Sequence, residues 1–175
     1  MNWDSIAIKY GADKASSSHG YMGIYEKYLK GLKVNRLLEL GVAHGKSLYM
    51  WHEIFPEALI VGVDNNPECR IHQRTNIDII IADASDPAKM AAVSQLYGEF
   101  DVIIDDCDHK EAQARLSLEE LYFRMPSGGI YIIEDFDAES SFIKWLREKW
   151  NATIEPVDDK TGFVDNACLA VIQKP

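Results

Sequence analysis

Phe100–His109, FDVIIDDCDH, is the stretch whose reading decides the fold. Val102, Ile103 and Ile104 form a short apolar run, the pattern of a strand covered on both faces, as in a parallel sheet. The run ends in Asp105, Asp106, Asp108 and His109, where such a strand emerges at its C-terminal edge. Ligands of open α/β sheets bind just outside that edge. A second apolar run, Gly129–Ile133, ends in Glu134 and Asp135. Two neighbouring strands would thus aim three or more carboxylates and one imidazole at one place, the predicted active centre.

Working outward, strand and helix signals alternate from residue 36. RLLEL (Arg36–Leu40), LIVGVD (Leu59–Asp64), IDIIIAD (Ile77–Asp83), FDVIIDD and GGIYIIED read as five strands. Between them lie helical patterns at Lys46–Phe55, stopped by Pro56, at a short helix opened by Pro67, at Pro87–Tyr97 capped by Asp86, and at Glu111–Met125. Ser140–Trp150 is a further helix, and Ala152–Val157 with Cys168–Gln173 reads as an antiparallel pair closing the sheet. Before residue 34, residues 2–10 and Tyr21–Leu32 read as helices, with a polar, lid-like loop, Gly11–Tyr21, between them. The expectation is one domain: N-terminal helices and a loop over 1–33, and over 34–175 a Rossmann-like α/β core. Its sheet is mostly parallel with an antiparallel last strand, and helices cover both faces.

The chain has 175 residues and a net charge of −10, from 28 acids against 18 bases. Phosphate binding needs a basic footprint, so nucleic acid is excluded as the main partner. No apolar run nears the ~20 residues a membrane helix needs, so no membrane partner is expected. The start, MNWDSIAIKYGADK, has neither the basic n-region nor the apolar h-region of a signal peptide. Cys69, Cys107 and Cys168 are odd in number and form no CxxC pair. That argues against a disulfide framework or zinc site, and a cytoplasmic location is the expectation.

The first strand and its turn read Leu38-Glu39-Leu40-Gly41-Val42-Ala43-His44-Gly45-Lys46-Ser47. Gly41 and Gly45 let the backbone approach a ligand, and the following helix offers free N–H groups. The spacing is neither the GxGxxG of dinucleotide folds nor a phosphate loop, which speaks against a nicotinamide-dependent oxidoreductase. Asp64 closes the second strand, where an acid accepts from a ribose diol. Asp83 closes the third, where an acid takes an exocyclic amine. Each feature also has a plain structural reading. The glycine stretch is an ordinary strand–helix turn, Asp64 and Asp83 are caps, Glu134 and Asp135 are solvated loop acids, and His109 is a helix-start residue. His19, His44, His52 and His72 are given surface or packing places. Trp3, Tyr21 and Tyr25 line a pocket or an interface, or pack in the core.

Taken together, Glu39-x-Gly41, Asp64 and Asp83 resemble the class I S-adenosylmethionine-dependent methyltransferases. The resemblance implies that Gly41 lies under the methionine part, Asp64 holds the ribose and Asp83 reads adenine. The expected donor-binding set adds Glu39, Ala43, Ser47, Asn65, Ala84 and Asp105; apart from the resemblance, Lys14 and the Gly11–Tyr21 loop are expected to close over the donor, the plain alternative being an ordinary frayed terminus.

A narrower resemblance rests on Asp105-Asp106-x-x-His109, on Gly128-Gly129-x-Tyr131-x-Ile133-Glu134-Asp135, and on Tyr10-Gly11-Ala12-Asp13-Lys14 followed by His19-Gly20-Tyr21. These are similar to the metal-dependent macrocin, mycinamicin and rhamnosyl sugar O-methyltransferases of antibiotic biosynthesis, with the cephalosporin-hydroxylase-like proteins as relatives. It implies Mg2+ (or another divalent cation) on Asp106, Glu134 and Asp135, and His109 as the catalytic base beside Asp106. Oxygen ligands independently suit magnesium, calcium or manganese rather than zinc or copper. The chain departs from the group in having Cys107-Asp108 before the histidine, where small residues are usual, and in being short. The expected function is methyl transfer to a hydroxyl of a sugar or glycosylated natural product. The alternatives are a catechol-like or other small diol as acceptor, and a non-catalytic donor-binding module. A homo-oligomer is left open.

Overall fold

The computed structural model describes residues 2–175. Strands β1 (Arg36–Leu40), β2 (Leu59–Asp64), β3 (Ile77–Ile81), β4 (Val102–Asp105), β5 (Ile130–Asp137), β6 (Thr153–Pro156) and β7 (Ala167–Gln173) form one sheet. The order is β3-β2-β1-β4-β5-β7-β6. β1 to β5 are parallel, and β7 inserts antiparallel between β5 and β6. Strand order reverses between β1 and β4, and a ligand crevice belongs at that switch point.

The helices are α1 (Trp3–Tyr10), α2 (Met22–Leu29), α3 (Lys46–Ile54), α4 (Pro87–Tyr97), α5 (Glu111–Leu121) and α6 (Ser141–Trp150). Their ends follow the local chemistry. The Asn2 side chain accepts from the Asp4 and Ser5 N–H groups, and Gly11 ends α1 at φ 65°. Asp86 caps α4 ahead of Pro87, and Ser140 caps α6.

Period-two alternation divides the core between the two faces of the sheet. Leu37, Ile60, Ile104, Ile132 and Leu169 face α1, α2 and α3, meeting Trp3, Tyr21, Tyr25 and Trp51. Leu38, Val61, Ile103, Tyr131 and Ala170 face α4, α5 and α6, meeting Leu118, Phe142 and Leu146. No helix among the described residues is long and apolar enough to cross a membrane. The three cysteines are free.

Several elements differ from the sequence expectation. β4 is confined to Val102–Asp105, so Asp106 is the first residue beyond it. The long helix stops at Leu121 and tightens into a 3-10 turn over Tyr122–Arg124. β5 does not end before its acids but runs through them to Asp137, with a register shift between Ile133 and Phe136. The segment 11–21 is no free lid. Ser18 N–H donates to Ala15, His19 N–H to Asp13 and Tyr21 N–H to Lys14, and its inner side buries Ala12, Lys14 and Ala15. Trp3, Tyr21 and Tyr25 are buried as well.

Gly41 shows how tightly the switch point is built. Its φ is +93°, and a Cβ there would lie 2.0 Å from the Asp106 carbonyl oxygen. Backbone must move to admit any side chain. Gly41→Ala is expected to lower the unfolding free energy by about 2–4 kcal/mol in urea titration. Gly23→Ala, in α2 with open space at the Cβ position, is expected to be neutral or stabilising by ~0.5 kcal/mol.

Candidate active site

The turn after β1 is shaped by backbone geometry. Gly41, Ala43 (φ 44°) and Gly45 (φ 66°) all adopt left-handed conformations. Asp64, at the end of β2, fastens the turn: its carboxylate accepts from Val42 N–H at 2.8 Å, Ala43 N–H at 3.1 Å and Asn66 N–H at 2.8 Å. Burial opposes ionisation of this carboxyl, but the three N–H donors outweigh it and hold its pKa below the usual value. The His72 ring fills the space where a side chain on Gly45 would stand. Beside the turn lies a cavity of about 440 Å³.

The acid cluster follows from strand parity. Glu39 continues the face of Leu37, Asp106 that of Ile104, and Glu134 that of Ile132, so all three fall on the α1–α3 side of the sheet. Ile133 pairs with Ala170 and Phe136 with Cys168, which leaves Glu134 and Asp135 together opposite the single Leu169. This is a β-bulge, and Asp135 sits in it at φ 61°. The extra residue brings both acids to one face, where regular alternation would send Asp135 to the other.

Cations and hydroxyls from the N-terminal layer meet these acids. The Lys14 ammonium is fully buried, 2.6 Å from Asp106 Oδ2, 2.9 Å from both oxygens of Glu134 and 3.5 Å from Glu39 Oε1. Burial acts to lower its pKa, but Asp106 and Glu134 outweigh that and raise it well above the ordinary value. The Tyr25 hydroxyl donates to Glu134 and the Tyr21 hydroxyl to Asp135. Burial pushes the Glu134 and Asp106 carboxyls upward. Glu39, fully buried, is raised by burial to about 7, and neither of its oxygens has a hydrogen-bond donor.

One oxygen each from Asp106 and Asp135 and a ring nitrogen of His109 lie within 4.8 Å of one another. His109 does not begin a helix. It stands two residues before α5 with φ 55°, and its Nδ1 is 3.8 Å from Asp135 Oδ2. A second imidazole, His19, stacks on Tyr21 and lies 3.7 Å from Asp135 Oδ1 and 3.2 Å from Asp159 Oδ1. Phe163, an exposed ring on the segment joining β6 to β7, stands edge-on to both imidazoles.

Of the residues expected around a donor, Gly41, Ala43, Ser47, Asp64, Asn65, Asp83 and Ala84 line the cavity, together with Asp106 and His109. Three do not. Asp105 continues the opposite face, where Ser117 and Tyr131 donate to its carboxylate. Glu39 lies beneath the turn. Lys14 points into the acid cluster, while its neighbours Gly11 and Asp13 reach the cavity wall. Asp108 is paired with Lys110 and lies outside the group formed by Asp106, His109 and Asp135. Glu134 is outside that group too, its oxygens turned to Lys14 and Tyr25. His19, Asp159 and Phe163 carried no signal beyond the His19-Gly20-Tyr21 match. The four-residue spacing of Tyr21 and Tyr25 indicates a shared helical face, not their carboxylate partners.

The strand order, the glycine turn and the crevice at the switch point define the class I methyltransferase fold. In solved structures, the methyltransferase MycE of the mycinamycin biosynthetic pathway, in complex with Mg and SAH, superposes with a TM-score of 0.82. That match covers 99% of this chain and 55% of that one, at 22% identity. A fibrillarin pre-rRNA processing protein of Methanococcus jannaschii shares the fold at a TM-score of 0.63 and 21% identity, over 83% of this chain and 71% of that one.

Within that class the sequence is similar to sugar O-methyltransferases. It is 34% identical over 145 residues to L-olivosyl-oleandolide 3-O-methyltransferase of Streptomyces antibioticus, covering 75% of this chain and 36% of that protein. It is 32% identical over 139 residues to 8-demethyl-8-alpha-L-rhamnosyl tetracenomycin-C 2'-O-methyltransferase of Streptomyces olivaceus, covering 74% and 36%. The chain spans just over a third of the length of these curated relatives. No family model matches it.

The acid cluster makes stability pH-dependent. The Glu39 carboxyl has an ordinary pKa of 4.5 in the unfolded chain and about 7 in the folded one. Between those values the folded state holds more protons, so stability falls as pH rises through the window. Asp105, Asp106 and Glu134 are shifted in the same direction. With a chelator present, urea midpoints are expected to fall from about pH 5 to about pH 8, and Glu39→Gln is expected to flatten the slope without abolishing it.

Proposed function

We propose that the chain is an S-adenosylmethionine-dependent, divalent-metal-assisted O-methyltransferase acting on a sugar hydroxyl of a glycosylated natural product. One observation carries the reading: Asp106 and His109 belong both to the wall of the cavity and to the group of converging ligand atoms with Asp135. A donor in the cavity and an acceptor at that group would therefore meet across these two residues. The names of the sequence relatives support a sugar hydroxyl as acceptor. So does MycE, whose structure holds Mg, SAH and mycinamycin VI.

The residues fit both groups. Gly41, Asp64, Asn65, Asp83 and Ala84 line the cavity; there Gly41 would lie beside the donor's methionine part, Asp64 and Asn65 would take its ribose, and Asp83 and Ala84 its adenine. In the cluster, Asp106 and Asp135 would hold the cation, joined by Glu134 once its carboxylate turns from Lys14 and Tyr25, and hard oxygen ligands suit magnesium or manganese. When bound, such an ion polarises and orients a pair of neighbouring acceptor hydroxyls. His109 takes the hydroxyl proton as the oxygen forms its bond to the methyl carbon and the methyl–sulfur bond breaks. The Tyr21 and Tyr25 hydroxyls donate to Asp135 and Glu134 and steady these carboxylates, and a fixed geometry supplies alignment that methyl transfer needs.

Calorimetry with S-adenosylhomocysteine tests the donor site, and turnover of 4-nitrophenyl α-L-rhamnopyranoside with and without Mg2+, against catechol as a competing acceptor, tests the chemistry. The expected result is donor binding in chelator and Mg2+-dependent methylation of the rhamnoside. His109→Ala is expected to lower turnover by about 10²- to 10⁴-fold while leaving S-adenosylhomocysteine affinity unchanged. Wild-type turnover in that variant removes the base assignment. Absence of donor binding removes the methyltransferase reading.

A further inference from the structure

Lys14 has no role in the chemistry of the transfer, yet it is a charged side chain buried at the centre of the acid cluster. It has no solvent exposure, and its ammonium touches three carboxylates, of Asp106, Glu134 and Glu39. Asp135 completes a set of four acids gathered at the ends of β1, β4 and β5. Two of the proposed metal ligands, Asp106 and Glu134, make their shortest cationic contacts with Lys14. A divalent ion shared by Asp106, Glu134 and Asp135 would lie within a few ångströms of the ammonium. At that range in a partly desolvated site, repulsion between the two cations alters affinity by more than a decade.

We propose that Lys14 is an internal counter-cation of the candidate metal centre. It shares Asp106 and Glu134 with the divalent ion, holds the acids together when no ion is bound, and keeps the ion's affinity down when one is. The inference rests on the metal part of the proposed function. The alternative is a strut: Lys14 fixes ligand geometry, and its loss weakens metal binding. The two roles predict opposite signs.

The experiment uses metal-stripped protein with Mn2+ as the probe, titrated calorimetrically, and thermal melts in chelator and in Mn2+. Lys14→Met is expected to bind Mn2+ about tenfold tighter or more. It is expected to melt below wild type in chelator and to gain more from Mn2+ than wild type does. Lys14→Arg keeps the charge and should stay near wild type. S-adenosylhomocysteine affinity should be unaltered in both variants, since Lys14 does not line the cavity. Equal or weaker Mn2+ binding by Lys14→Met overturns the proposal. So does a Lys14→Met protein that stays unfolded both with and without Mn2+, because the ion is held to replace the lysine. If wild type itself binds no Mn2+, the metal part of the proposed function fails. If wild type binds and the variant is not tighter, only the role of Lys14 fails.

Discussion

The ammonium of Lys14 buried among Glu39, Asp106 and Glu134 is the interaction on which the site depends. Carboxylates this close do not stay ionised in a desolvated place without a cation or protons among them. Removing one member of a buried pair leaves an uncompensated charge, at a cost of roughly 3–5 kcal/mol. The lysine therefore ties together parts of the chain far apart in sequence. It fastens the segment between α1 and α2 to the ends of three central strands, and Tyr21 and Tyr25 add two hydroxyl ties on the same face.

Which acids meet is decided by register. On β1, β4 and β5 the alternation that buries Leu37, Ile104 and Ile132 against α1–α3 carries Glu39, Asp106 and Glu134 to that same face. The same alternation sends Asp105 to the other face, to Ser117 and Tyr131. Asp135 joins the cluster only because the bulge sets two residues against Leu169. A one-residue slip in any of these strands would invert its pattern. The apolar core thus enforces the geometry of the polar site: the acids cannot move to the opposite face without driving the leucines and isoleucines beside them into the other, differently packed layer.

This explains what was legible in the sequence. The strand–helix alternation, the glycine turn at Gly41–Gly45, and acids at strand ends such as Asp64 and Asp106 are local patterns, and the sheet assembles them as read. The residues that failed the reading are those whose place depends on partners far along the chain. Lys14 looks like an exposed loop lysine, and its partner Asp106 lies 92 residues away. Asp105 and Asp106 look equivalent until pairing assigns each a face. The bulge at Glu134-Asp135 carries no glycine or proline to announce it. His109 stands three residues past Asp106, but α5 starts only at Glu111, and His109 itself takes a left-handed conformation.

The two halves of the site are held differently. On the cavity side, Asp64 fixes the Val42 and Ala43 amides of the Gly41–Gly45 turn, and side chains such as Lys46, Asn65 and Gln113 complete the wall. The acid side is made of long side chains held by one another. Over it, the segment 11–21 and the segment between β6 and β7 are joined, with Lys160 donating to the carbonyls of Ser16 and Ser18 and His19 beside Asp159. Phe163 stands at that seam, exposed beside His109 and His19. The seam lies on connecting segments, outside the strands that carry the acids. Loops can change there without disturbing the register that holds the acids.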